Sequence, residues 1–139
     1  DLRPEHVFLE RVPVIIDCLE FDRELRLMDR ASELSFLALE CARLGAPALG
    51  EALVEAYGAR SDDRPPPRLW RFHQSHHACI RALVALWHLD DPRTDSAGAW
   101  VDKARHYLSL AVELAGPRGR FDGEALVPGS PSSTSDPPT

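Results

Sequence analysis

The spacing of the apolar residues changes near Asp29, and this change limits the folds that the chain can adopt. Before it, apolar runs at residues 7–9 and 12–16 flank Glu10 and Arg11, a pattern that predicts a β-hairpin. After it, apolar residues recur every three or four positions, which predicts amphipathic helices. Glycine and proline divide this second part into four helical segments. The sequence therefore predicts a mainly α fold with an N-terminal β-hairpin.

The boundaries of the first two helices follow from their flanking residues. Asp29 suits the N-cap of the first helix, and Gly45 suits its C-terminal end. Pro47 can open the second helix, which we expect to stop at Gly58. Residues 61–67 contain three prolines and have no periodicity, so they predict a surface loop.

The last two helices follow this loop, and each carries an apolar stripe that predicts its buried face. The third helix has the stripe Leu69, Phe72, His76, Ile80, Leu83, Val84 and Trp87. The fourth has the stripe Trp100, Ala104, Leu108, Ala111 and Ala115. Asp95 or Ser96 caps the fourth helix, which ends at Gly116.

Composition excludes several classes of protein. The net charge of −6 argues against binding to nucleic acid or to an anionic membrane surface. No stretch approaches the roughly 20 apolar residues of a transmembrane helix, and no leader peptide opens the sequence. Three cysteines in apolar surroundings, with no paired spacing, predict free thiols rather than disulfides. We expect a cytoplasmic protein.

Hairpin geometry gathers polar residues at one end of the two strands. Asp17 ends an apolar strand, and a carboxylate in that position needs a cation or hydrogen-bond donors. A turn at Glu10 and Arg11 places His6 opposite residues 15–16, and hence beside Asp17. Asp1 and Glu20 lie close in sequence to the same end. The residues alone thus predict a polar cluster that could hold a metal ion.

Three segments of the sequence resemble the aminoglycoside phosphotransferase-like family of small-molecule kinases. Asp-Leu-Arg-Pro-Glu-His at residues 1–6 resembles the catalytic loop, with His6 in the place of an asparagine. Asp-Cys-Leu-Glu at residues 17–20 resembles the metal-binding segment after the family's hairpin, with Leu19 in the place of a glycine. Asp-Arg-Ala-Ser-Glu-Leu at residues 29–34 is similar to the start of the family's next helix. The resemblance extends to about residue 115, but beyond Leu44 it rests on the helix pattern.

This resemblance implies the C-terminal lobe of a protein-kinase-like α+β fold and transfer of a phosphoryl group from a nucleoside triphosphate. Asp1 would accept or orient the proton of a small-molecule hydroxyl. His6 and Asp17 would hold Mg²⁺ on the phosphates of ATP or GTP, and Glu20 is a further metal candidate. The substrate would be aminoglycoside-like, and the acidic balance of the chain favours a cationic one.

The nucleotide-binding lobe of such a kinase has no counterpart in this sequence. No glycine-rich phosphate loop occurs, and Lys103 stands on a late helix rather than on an early strand. We therefore expect a C-terminal fragment, with residues 1–116 as a partial kinase lobe and residues 117–139 as a disordered Pro- and Ser-rich tail. Alone, it should be inactive and should expose apolar surface that the intact protein covers.

Two other interpretations remain open from the residues. The first is a non-catalytic helical interaction module, in which the polar cluster at the hairpin is incidental. The second is a helical metal-binding protein that uses His73, His76 and His77, whose spacing brings them to one side of a helix. Asp29 fits a structural N-cap better than a catalytic role.

Overall fold

The structure is a computed structural model that describes residues 2–16, 23–24, 27–91, 94 and 96–116. A 3-10 turn at Pro4–His6 leads into strands β1, Val7–Phe8, and β2, Val14–Ile15. Four helices follow: α1, Arg30–Arg43; α2, Pro47–Ser61; α3, Pro67–Trp87; and α4, Ala97–Ala115. A second 3-10 turn, His88–Asp90, follows α3. The prediction of a mainly helical chain with an N-terminal hairpin is confirmed.

The two strands of the hairpin are antiparallel, with Val7 paired to Ile15 and Phe8 paired to Val14. This is one of the two predicted registers, although the connection is wider than the predicted turn and takes up residues 9–13. Pro13 lies just before β2, as expected for a residue that cannot donate a ladder hydrogen bond. Val7 is half-buried, whereas the other apolar side chains of the two strands and their connection are exposed, and Leu9 reaches 87%.

The ends of α1 agree with the sequence. The Asp29 carboxylate accepts a hydrogen bond from the Ala31 backbone N–H at 2.8 Å and so caps the helix. Gly45, just beyond the last turn, has a φ of +84°, a left-handed conformation that glycine adopts without strain. Asp29 and Gly45 therefore set the two ends of α1.

The core lies where α1, α3 and α4 meet. Its members are mostly small residues with a few large ones, namely Phe36, Leu39, Ala78, Ala82, Ala85, Ala104, Tyr107 and Ala111. The Ser75 hydroxyl donates to the Ala111 carbonyl oxygen at 3.0 Å, which ties α3 to α4 directly. Alanine at these positions lets the helix axes come close, because little side chain stands between them.

The predicted buried face of α3 is wrong. Ala78, Ala82 and Ala85 are buried, whereas Phe72 and Trp87 are 61% and 60% exposed. The stripe of large residues is amphipathic by spacing alone, but close packing against α1 and α4 requires the narrow alanine face. The predicted end of α2 at Gly58 is also wrong, since this helix continues to Ser61.

Gly50 marks a close approach of α2 to α1, and it supports a prediction about stability. A Cβ atom at this position would lie 2.9 Å from both the Cα and the Cβ of Ala38. Gly50→Ala is therefore expected to destabilise the chain by about 1–3 kcal/mol, measured by urea unfolding. The matched control is Gly98→Ala on α4, where nothing lies within 4 Å, and a change from neutral to about 1 kcal/mol more stable is expected. Equal effects of the two substitutions would contradict this account.

Among the described helices, none combines the length and the apolar character needed to cross a bilayer. The predicted tail, residues 117–139, lies outside the described residues.

Candidate functional site

The segment that resembles the catalytic loop lies against the first half of α1. The backbone N–H of Leu2 donates to a carboxylate oxygen of Glu33 at 3.0 Å. The 3-10 turn Pro4–His6 then brings His6 inward, where it is only 6% exposed. Proline suits the first position of this turn, because its fixed φ is preorganised for a helical turn and its missing N–H would have had no hydrogen-bond partner there. A buried imidazole therefore stands at the start of the hairpin.

Contacts with Ile16 and Arg3 help to hold His6 in place. The backbone N–H of Ile16 donates to its carbonyl oxygen at 3.0 Å, which extends the hairpin ladder by one residue. The Nε2 atom of its ring lies 2.9 Å from the Nη2 atom of Arg3. Because a guanidinium only donates, Nε2 is the acceptor and the ring proton sits on Nδ1. The predicted neighbourhood of His6 and residues 15–16 is confirmed.

His6 is the one member of the predicted site that the structure describes. Asp1, Asp17 and Glu20 lie outside the described residues. Nε2 of His6 accepts a hydrogen bond from the guanidinium of Arg3. In this arrangement that nitrogen does not suit a Mg²⁺ ion. The metal roles of His6, Asp17 and Glu20 stay predictions, as does the catalytic role of Asp1.

A buried carboxylate on α1 joins three helices, and sequence reasoning missed it. Glu40 is 1% exposed. It accepts a hydrogen bond from the Tyr107 hydroxyl of α4 at 2.6 Å and one from Nε of Arg43 at 2.7 Å. Nε of Arg81, on α3, lies 3.9 Å from the same carboxylate. The only sign of burial in the sequence is that Glu40 stands within an apolar stretch of a helix. A solvent-exposed glutamate can stand in such a stretch as well.

Burial and the charges of the Glu40 network shift the pKa values of neighbouring groups. Burial raises the pKa of Tyr107, and the hydrogen bond to Glu40 adds to the rise. Burial alone would lower the pKa of Arg43, but its hydrogen bond and charge interaction with Glu40 outweigh this and raise it. Burial, followed by the positive charges of Arg81 and Arg43, lowers the pKa of Lys103. Glu40 is thus a buried structural acid that contacts the side chains of two arginines and one tyrosine.

Of the three histidines of α3, His73 and His77 are partly buried, whereas His76 is exposed. The ring of His77 stacks on Phe36 at 4.8 Å between centroids, and its Nε2 atom lies 2.9 Å from the Ser32 hydroxyl. His73 approaches the Asp29 carboxylate at 3.9 Å. Within the described ranges, no three His, Cys, Asp or Glu side chains are grouped so that they could hold a metal ion. The described part of the chain therefore offers no support for the metal-binding interpretation.

The burial of His77 predicts that acid destabilises the fold. Burial lowers the pKa of His77, and the nearby His76 lowers it further. Below about pH 6.5, the ordinary pKa of histidine, the unfolded chain binds a proton that folded His77 does not. The free energy of unfolding should therefore fall as the pH falls from about 7.5 to about 5.5 in urea titrations.

A matched pair of variants isolates this contribution. His77→Gln should flatten the decline, because the substituted side chain does not titrate. His106→Gln, at an exposed position on α4, should leave the decline unchanged. A decline of equal size in His77→Gln would assign the acid sensitivity to another group.

A cleft of about 690 Å³ opens between α1, α2 and α3. Trp70 forms part of its wall, with the indole N–H fixed by a 3.1 Å hydrogen bond to a carbonyl oxygen of the loop before α3. Its polar lining is mixed, with Glu51 and Glu55 from α2 and the arginines Arg64 and Arg71. The volume suits a small molecule, but the mixed charges do not select one class of ligand.

The cleft and the catalytic-loop-like segment contact different sides of α1. Ala38 lines the cleft, whereas Glu33 receives the hydrogen bond from Leu2. Five residues separate these two positions, which corresponds to about 140° around the helix. The cleft therefore lies apart from the described part of the catalytic-loop-like segment, residues 2–6.

Comparisons with known proteins give relatives but no family. No protein-family model matches this chain. No solved structure matches it. The chain is similar to uncharacterized proteins of two strains of Mycobacterium tuberculosis and one of Mycobacterium bovis. Each is 33% identical over 134 residues, which make up 96% of this chain and 26% of the relative. The chain thus spans about a quarter of the length of the curated relatives it matches.

Proposed function

We propose that this chain is the C-terminal part of a phosphotransferase with a protein-kinase-like fold. It would move a phosphoryl group from ATP or GTP to a hydroxyl of an aminoglycoside-like small molecule. Asp1 would accept or orient the hydroxyl proton. Mg²⁺, when bound through Asp17 and Glu20, would neutralise charge on the phosphates. Since such chemistry depends on a nucleotide-binding lobe, the activity would belong to a longer polypeptide that contains this chain, here called the parent protein.

One observation supports this function more than any other. The hairpin pairs His6 with Ile16 through a 3.0 Å hydrogen bond, and Asp17 is the next residue in sequence. A register shifted by one residue would turn the following side chains to the other face of the hairpin. The observed register supports the proposal because it brings the end of the loop-like segment to the end of the second strand.

The contacts of α1 offer secondary support. Asp29 caps α1, and Glu33 of the same first turn binds the backbone at Leu2. The two segments that resemble family motifs at residues 1–6 and 29–34 are thus in direct contact. An interaction module without catalysis would need no such contact, although it would tolerate one. The proposal also includes a cytoplasmic location for the protein and a cationic substrate.

The test is phosphoryl transfer by the parent protein. The purified protein is incubated with Mg²⁺, γ-labelled ATP or GTP, and a panel of aminoglycosides, amino sugars and choline-like alcohols. Transfer of label to at least one of these compounds is expected. The isolated chain of 139 residues is the matched control and should transfer none, because it lacks the nucleotide-binding lobe. Failure of the parent protein to bind either nucleotide in calorimetry would overturn the assignment.

A further inference from the structure

The outer side of α3 carries large apolar side chains in water. Its outer stripe consists of Phe72, His76, Ile80, Leu83 and Trp87, on the side opposite the buried alanines. Ile80 and Leu83, at its centre, are 40% and 46% exposed, and the aromatic residues at its ends are exposed further. A stripe of this kind, apolar except for His76, marks an interaction surface.

The outer stripe is self-complementary. Its members are spaced by four, four, three and four residues, which is close to the seam of a coiled coil. If a second α3 lies antiparallel across it, Phe72 of one copy faces Trp87 of the other, and His76 faces Leu83. Ile80 then lies beside the two-fold axis. Each contact occurs twice, as a two-fold symmetric interface requires.

The charges at the two ends of α3 fit the same antiparallel arrangement. The helix contains no acidic residue, and Arg68 lies exposed in its first turn. Asp90, also exposed, follows its C-terminal end. An antiparallel pair brings Arg68 of each copy to Asp90 of the other. It also sets the positive N-terminal end of each helix dipole beside the negative end of the other.

We propose that the outer stripe of α3 is the interface through which two copies of this chain associate as an antiparallel, two-fold symmetric dimer. A helix of 21 residues is about 30 Å long. One such helix pair buries an area at the low end of specific interfaces, below about 1,200 Å² in total. The dimer is therefore weak, with a dissociation constant in the micromolar range. This association does not depend on the phosphotransferase assignment.

Sedimentation velocity of the chain tests the dimer. Wild-type protein from about 1 μM to about 300 μM should shift from monomer to dimer across this range. Leu83→Glu should remain monomeric at every concentration, because it places a charge near the axis. The matched control is Leu9→Glu, at an exposed apolar position on the hairpin connection, which should dimerise as the wild type does. Thermal unfolding of the dilute monomers should give the same midpoint for Leu83→Glu and wild type.

Cysteine cross-linking tests the orientation of the two helices. Cys79 is exposed on α3 and adjoins Ile80, so its two copies lie near the axis of an antiparallel dimer. In a Cys18→Ser background, a short bis-maleimide should join two chains through Cys79. When the thiol is moved to α4, by Cys79→Ser with Ser109→Cys, the cross-linked product should disappear.

Three results would overturn the proposal. The first is a wild-type chain that stays monomeric throughout the concentration range. The second is a dimer that persists in Leu83→Glu, since another surface would then be responsible. The third is a parent protein that is monomeric and whose Cys79 does not react with maleimide, because a further segment of that polypeptide would then cover the stripe.

Discussion

In the parent protein, Asp17→Asn is expected to lower kcat for phosphoryl transfer by about 1,000-fold. Under the proposed function this carboxylate would be the main oxygen ligand of Mg²⁺, and an amide carries no charge to hold the ion. Loss of metal stabilisation of about 4 kcal/mol in the transition state corresponds to that factor. Asp1→Asn should reduce kcat by about 10²–10⁴-fold, because the hydroxyl proton then has no acceptor. Steady-state kinetics at saturating nucleotide measures both effects.

The control for both variants is Asp102→Asn on α4. Its carboxylate is exposed and pairs only loosely with Arg105 of the same helix, at 3.6 Å. This substitution makes the same chemical change away from the proposed site, so kcat and KM should stay at the wild-type values. Full activity in Asp17→Asn would exclude the kinase assignment. Loss of activity in all three variants would indicate misfolding and would be checked by circular dichroism.

Glu40→Ala is expected to destabilise the chain by about 3–5 kcal/mol, the largest effect on folding that we predict. The substitution removes the carboxylate that holds Arg43 and Tyr107, and it leaves the guanidinium of Arg43 without its 2.7 Å partner. Removing the fully buried partner of an ion pair costs up to this much, because the remaining charge is uncompensated and Arg43 is only 24% exposed. Since small domains are stable by only about 5–15 kcal/mol, the midpoint of thermal unfolding should fall by at least about 10 °C.

Two variants distinguish the effect on stability of losing the buried network from the effect of losing any acidic residue. Glu40→Gln keeps the volume and an acceptor for the Tyr107 hydroxyl but removes the charge beside Arg43, so we expect about half the loss. Glu113→Ala removes an acid from an exposed position on α4 and should change stability by less than about 0.5 kcal/mol. If Glu40→Ala behaved like Glu113→Ala, the buried network would contribute nothing to stability.

The hairpin and the helix ends show how far local sequence determines structure. The Asp29 cap, the left-handed Gly45, and the exclusion of Pro13 from its strand depend on a single residue and its immediate backbone. The hairpin register also follows from local pattern, because a two-residue side-chain period permits few alternatives. These features could be predicted because the interactions that decide them span only a few residues.

The buried faces of the helices and the polar network required the tertiary structure. Spacing marked Phe72 and Trp87 as core residues of α3, yet the packing selects Ala78 and Ala82, because helix axes approach closely only over small side chains. Glu40 pairs with Tyr107, a residue 67 positions away, and no local pattern reports such a contact. The sequence by itself thus determined the order of the elements and the ends of α1, but not the end of α2. Only the three-dimensional packing decided which faces are buried and which acid lies among them, since burial depends on what each helix meets.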